Sequence, residues 1–526
     1  MSNPIVRLMR RQRSDLDYAL MEGSLGTVMT TVTSGVYLTG FALALGANDV
    51  TIGLLASLPS LAALFQFIGS YLIEQIGSSK KLCLAATLAH RLTWVVMIVI
   101  PFVFAPRYRL AVVVGAVGLM SIFAAMTSVS WMSWSARFIP SSSRGRFLGR
   151  RSMIAGVVGM VFALLAGRFI DFWRRTHPER LLHGYSILYL LGLTFGLVGW
   201  WALSRISSNP ESGQRPSGFW FQIRQPLKND RFRRLLLYGS AWTFSVRIVA
   251  PFFDVYMIRE LSIPFSMIAS FALVSGLLNI VGTRLSGGAA DEVGAKLVLV
   301  YGSVGACVSP LLWMLTTPEN YLILWLVNAM TGISWAAIGL STSILLLKMV
   351  PSEGGAIYFA TFAAVTGLAG AIAPSVGGLL SGLIRDTGFT LFTPALSGLR
   401  IMFLLSAVLR MASLFPLLQV NVPDEAEVTL DSIQDLRLVY ATRTAMAYSI
   451  GTVENLNLAM TTGVTEVEAR LEEVMARGAA VVRSLVRGSR TVGERVDGWL
   501  ESVETVLDHW IGILFDHLGV DDMEDK

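Results

Sequence analysis

The sequence predicts an all-α membrane protein, with twelve transmembrane helices in two pseudo-symmetric six-helix bundles and an α-helical cytoplasmic tail. Three observations lead there. The 526 residues are 53% hydrophobic and 15% charged, with a mean hydropathy of +0.60, whereas an average soluble domain carries about 25% charge. The apolar residues gather in blocks, each close to the roughly 20 residues that cross the hydrocarbon core as a helix. One long polar interruption divides these blocks six and six, and short loop sequences recur at matching places on its two sides. This composition excludes a disordered chain, a collagen, a disulfide scaffold and an ordinary soluble enzyme. Cys83 and Cys307 stand apart in apolar stretches and imply no disulfide framework and no metal site.

Residues 1–18 carry Arg7, Arg10, Arg11, Arg13, Asp15 and Asp17. They read as a charged cytoplasmic leader, without the apolar core and small-residue cleavage site of a signal peptide. Spans 1 to 12 are then expected at 19–45, 51–74, 82–104, 109–133, 152–172, 184–205, 235–258, 266–287, 296–316, 320–347, 357–384 and 398–419. Backbone polar groups in hydrocarbon need partners within the segment, so the spans are helices, and no alternating ten-residue pattern suggests a barrel. Segment 206–234, with Asn209, Pro210, Gly213 and Pro216, reads as a cytoplasmic linker between bundles 19–205 and 235–419. Basic residues set the orientation. Lys80, Lys81, Arg137, Arg144, Arg146, Arg150 and Arg151 lie on the linker's side, and the linker adds Arg215, Arg224, Lys228, Arg231, Arg233 and Arg234; the other side carries Arg107, Arg109, Arg259 and Arg385, with Arg174, Arg175 and Arg180 as a local exception. The sum places both termini in the cytoplasm and the body in the inner membrane.

The repeats are specific. Between spans 2 and 3 the chain reads Ser70, Glu74, Gly77, Lys80, Lys81; between spans 8 and 9 it reads Gly287, Asp291, Gly294, Lys296. Ile139-Pro140-Ser141 is echoed by Val350-Pro351-Ser352. The doubled glycine–acid–glycine–lysine loop resembles the signature loop of the major facilitator superfamily, over about 14–420. The first copy departs from the pattern, with Glu74 for aspartate and Gln75 for arginine. Segments Trp131–Arg151 and Phe41–Ala47 resemble a poorly characterised bacterial branch of that superfamily. The resemblance implies transport by alternating access, a central cavity lined by helices 1, 4, 7 and 10, and a latch between the bundles at Asp291 and Glu74. By chemistry alone the loops could equally serve topology and turn formation, with glycines allowing close approach, acids facing helix N-termini and lysines remaining in water. Gly370–Gly378, around Pro374, resembles an antiporter motif in the other half and reads as a packing and bending site.

Ionisable groups at membrane depth are costly and few. Arg247 and Asp254 in span 7 are seven residues apart, which on an ideal helix is one face and about 10 Å. Arg247 is a candidate to hold an anionic group of a substrate, and Asp254 to exchange protons or close the outer gate. A structural pairing of either with another helix is the alternative. Glu22, near the start of span 1, reads as a proton-linked carboxylate, an inner-gate partner for an arginine, or an interfacial acid; Arg91 reads as half of a buried structural pair. Asn279, Asn328, Trp242 and Trp335 are candidate ligand contacts. Trp131 and Trp134 read as interfacial.

The tail, 420–526, is acidic: 421–526 holds 20 acids and 9 bases. Val464, Val467, Leu471, Val474 and their successors to Ile513 follow heptad spacing, broken at Gly478 and Gly488, which suggests amphipathic helices for self-association or a protein partner through 464–513. The function expected is secondary active transport of a small solute, coupled to an ion gradient, of protons by inference. No phosphate-binding loop, cofactor, metal cluster or catalytic constellation is expected, and no nucleic-acid partner; anionic lipid at the inner face is. The alternative is a non-transporting membrane scaffold or pigment-assembly factor acting through the tail.

Overall fold

The computed structural model describes residues 4–140, 144–207, 226–349, 355–387 and 398–420. The tail, with its heptads, most of the linker, and Val350-Pro351-Ser352 lie outside them. Among the described residues, twelve helices are long and apolar enough to cross a membrane: α1 Ser14–Ala44, α2 Asp49–Ile76, α3 Ser79–Val103, α4 Pro106–Phe138, α5 Arg144–Thr176, α6 Pro178–Arg205, α7 Asp230–Glu260, α8 Phe265–Val293, α9 Ala295–Trp313, α10 Ile323–Met349, α11 Ile357–Arg385 and α12 Leu399–Leu418. Helix α1 is continuous with the leader, beginning at Pro4. Helix α7 begins at Asp230, earlier than its apolar block, because Asn229 accepts from the backbone of Arg231 and Phe232 and Asp230 suits the first turn. Helices α4 and α5 reach 33 residues, about 50 Å at 1.5 Å per residue, and so project beyond a hydrocarbon core of about 30 Å.

The first helix of each half is interrupted at a corresponding place. In α1 the regular helix stops at Thr33 and resumes at Val36, with Gly35 at φ +57°, a left-handed backbone that favours glycine. In α7 it stops at Arg247 and resumes at Ala250. Pro251 causes this break, since it has no N–H to give the carbonyl of Arg247 four residues earlier.

Each half also ties down the end of its last helix at the face carrying the N-terminus. Lys80 Nζ donates to the Ile206 carbonyl, Trp134 Nε1 to that of Ser207 at 3.2 Å, and Asp15 accepts from the Ser207 backbone at 2.9 Å. In the second half, Lys296 Nζ donates to Leu418 O and Arg234 Nη1 to Gln419 O, both at 2.9 Å. Two expectations are corrected here. Lys296 is only 3% exposed, and both signature lysines cap helix C-termini, where unmet carbonyls attract cations, instead of remaining in water. Trp134 is buried and not interfacial, because its indole N–H meets one of those carbonyls.

The core runs through both halves. Phe41, Trp94, Tyr185 and Tyr189 interlock in one, Phe253, Tyr256, Trp313 and Phe403 in the other. Phe265 of α8 bridges them, stacking on Tyr37 of α1 at 6.0 Å.

Candidate functional site

Two seams join the halves, α2 against α11 and α5 against α8, and a buried acid holds each at the face away from the N-terminus. Asp49, 1% exposed at the start of α2, accepts from Arg259 at 2.9 Å, from Ser381 at 2.7 Å and from Arg385 at 3.3 Å. Asn48 already caps α2 by accepting from Thr51 N, which leaves the Asp49 carboxylate free to reach across. Asp171, near the end of α5, accepts from Phe265 N and Ser266 N at 2.8 Å and Ser266 Oγ at 2.6 Å. Helix α8 begins after Pro264 with no side-chain cap of its own, so the other half supplies one. Small residues let the helices close here: a side chain on Gly53 would strike the Pro374 carbonyl, and one on Gly167 would lie 2.7 Å from Ser266. Nearer the N-terminal face, Gly156, Gly339 and Gly367 face open space.

Arg247 lies at the α7 break. It is exposed, and its Nη1 donates to Ser60 Oγ of α2 at 3.3 Å. Its stem passes Gly370 of α11, where a Cβ would sit 3.0 Å from the Arg247 Cδ. The guanidinium therefore occupies the α2–α11 seam, with no carboxylate partner among the described residues. Asp254, beyond the break, is half-buried and has neither a hydrogen bond nor an ion pair among them. The break interrupts the helical phase between these two residues, which spacing alone did not reveal.

Trp242 is buried beside the half-exposed Trp335 of α10, ring centroids 6.3 Å apart, and its indole N–H has no partner among the described residues. Asn279 donates to the Gly332 carbonyl at 3.1 Å, clamping α8 to α10, and Asn328 donates to Leu324 O within its own helix at 2.8 Å. Glu22 pairs within its own half, with Arg151 at 2.9 Å and the buried Arg91 at 3.6 Å; Arg151 also lies over the Trp131 ring at 5.1 Å. In the signature loops, Gly77 and Gly294 take φ +65° and +91° at the turns. A side chain on Gly287 would meet only Leu340, at 3.8 Å. Glu74 and Asp291 are exposed, and neither has a hydrogen-bond or ion-pair partner among the described residues.

The family model of the Major Facilitator Superfamily matches residues 23–374. The chain belongs to that superfamily. With the family comes the class: this facilitator is a multi-pass membrane transporter and not an enzyme. Similar solved structures share its fold at low identity. A variant of the nucleoside transporter NupG is 14% identical, TM-score 0.59, covering 77% of this chain and 99% of its own. A bacterial homologue of the iron transporter ferroportin in an inward-facing state is 12% identical, TM-score 0.59, covering 78% and 99%. A D-xylose–proton symporter is 16% identical, TM-score 0.58, covering 79% and 99%. No curated protein matches the sequence.

Sequence reasoning about this facilitator passed over Asp49 and Asp171, the two acids that join its halves. A signal existed for Asp49: Arg259 and Arg385 stand on the face that is otherwise poor in basic residues, and a buried acid at the start of span 2 is their counter-charge. Asp171 left no such trace, because its partners are backbone N–H groups.

Proposed function

We propose that this facilitator is a secondary active transporter that moves a small solute across the cytoplasmic membrane by alternating access of its two bundles, coupled to the proton gradient. One observation carries the reading: at the interrupted α7, Arg247 and Asp254 have no ionic partner among the described residues, just inside a seam closed by Asp49 and its two arginines. A transporter needs such a closed gate on one side of unoccupied polar groups. The loop charges favour placing both termini in the cytoplasm, which makes the Asp49 face the outer one and this state inward-open.

Arg247, assisted by Ser60, holds an anionic or zwitterionic solute by charge-assisted hydrogen bonds. Trp242 and Trp335 form an aromatic wall on the same half, and Asn279 and Asn328 support it. Asp254 takes up and releases the coupling proton. Glu22 acts at the inner gate through Arg151. Glu74 and Asp291 engage the opposite half only when the inner face closes. The inner basic residues Arg137, Arg146 and Arg150 meet anionic lipid.

The test is proteoliposomes enclosing a pH indicator, challenged with a panel of small organic anions and zwitterions. Solute-dependent proton entry that is lost in Arg247→Ala is the expected result. A panel in which solutes cross with no proton movement overturns the coupling. Binding and flux unchanged in Arg247→Ala overturn the site.

A further inference from the structure

We propose a second binding site, for the phosphate headgroup of an anionic phospholipid, on the outer flank of the N-terminal half. A crevice of about 400 Å³ lies where the ends of α3 and α5 meet the start of α6. Arg180, His177 and His183 supply its polar lining, Phe102 and Trp173 are among its walls, and Ile187 and Leu190 continue it along α6. Its wall residue Trp173 stands two residues beyond Asp171 of the α5–α8 seam, and its lining shares no residue with the Arg247 site.

Its polar end is a built arrangement. Trp173 Nε1 donates to the Arg180 carbonyl at 2.9 Å, and the His177 ring stacks on Trp173 with centroids 4.9 Å apart. His177 Nδ1 lies 2.8 Å from Thr176 Oγ1. The Phe102 ring sits edge-on to His183 at 4.8 Å. Nδ1 of His183 is buried and has no hydrogen-bond partner among the described residues. A phosphodiester in the crevice can accept from the Arg180 guanidinium.

Charge points the same way. Arg174, Arg175 and Arg180 are the arginines that break the basic-inside pattern, and Glu179 is the one acid among 174–183. Other arginines of this face are engaged elsewhere: Arg259 and Arg385 with Asp49, Arg109 with the carbonyls of Phe104 and Pro101, Arg107 over the Tyr108 ring, and Arg400 with Tyr256 and Thr316. The excess around the crevice therefore suits an anion. Its apolar end selects lipid over a water-borne ion. Ile187 and Leu190, 42% and 52% exposed, lie one turn apart and extend about 10 Å deeper than His183, along the course an acyl chain would take.

The full chain, in phosphatidylcholine nanodiscs, is irradiated with phosphatidylglycerol carrying a photoreactive acyl chain, and labelled peptides are mapped by mass spectrometry. Labelling of 181–190 is expected to exceed that by an equally reactive phosphatidylcholine about fivefold, the scale set by one basic residue at an anionic surface. Arg180→Gln should remove most of that excess, and Leu190→Trp should block labelling by filling the apolar end. Circular dichroism melts of each variant establish that it is folded, and Arg180→Lys should retain part of the excess. Equal labelling by the two lipids overturns the proposal, as does an excess untouched by Arg180→Gln. Displacement by millimolar inorganic phosphate also overturns it, since the site would then hold a free ion.

Discussion

The proposed solute site turns on Arg247. Its guanidinium has a hydroxyl neighbour on α2 but no carboxylate among the described residues, and it lies beside a glycine of α11. Arg247→Ala should abolish uptake of an anionic or zwitterionic solute, because it removes the charged donor proposed to hold the anionic group. Arg247→Lys should restore only part, since a point charge cannot reproduce a bidentate grip. Asp254→Asn should flatten the pH dependence of uptake while leaving solute binding measurable by calorimetry. Equal loss of binding in both variants would mean that the two residues form one structural unit. The sequence could nominate these residues because charge is rare in apolar blocks. It could not foresee that Asn279 spends its amide on Gly332, or that Glu22 faces two arginines of its own half; those depend on which helix faces come together.

At the scale of helices, the ends carry the polar work. Lys80 and Lys296 stand at equivalent loops and cap the last helix of their respective halves. Lys296→Met keeps the apolar stem and removes the donor, leaving a carbonyl at the end of α12 unmet. The cost should be about 1–3 kcal/mol, read as a lower thermal midpoint with substrate affinity unchanged. The paired loops made the twofold relation legible from sequence, yet not the lysines' task, because the carbonyls that receive them lie 126 and 122 residues further along the chain. Asp171 shows the same limit. Replacing this cap on α8 by Ala should cost about 0.5–2 kcal/mol. Because the contact crosses between halves, the loss should appear as easier opening of the outer seam, measured as a longer spin-label distance between α5 and α8.

For the whole molecule, span number, twofold division and family were legible because apolar block length and loop repetition are properties of sequence. Which face is closed was not, since the seams are made by contacts between residues some 90–340 apart, as Asp171 with Phe265 and Asp49 with Arg259 and Arg385. Removing 421–526 should leave a body that inserts and melts as before, since the spans satisfy their own backbone; wholesale loss of thermal stability would make the tail part of the fold. The sharpest expectation concerns the balance of states. Asp49 is engaged in this state and Asp291 has no partner in it among the described residues, so neutralising them should push in opposite directions. Asp49→Asn removes the counter-charge of two arginines and should favour outward opening. Breaking a buried pair costs about 3–5 kcal/mol, and the effect should fall below that because the arginines are 32% and 42% exposed to solvent screening. Asp291→Asn removes a helix-end contact that only the opposite state would make, worth about 0.3–2 kcal/mol, and should deepen the inward-open population. Spin-label pairs across the two faces read both shifts. If both variants moved the distances in the same direction, Asp291 would not be a latch of the closed inner face, and its loop would be turn chemistry alone.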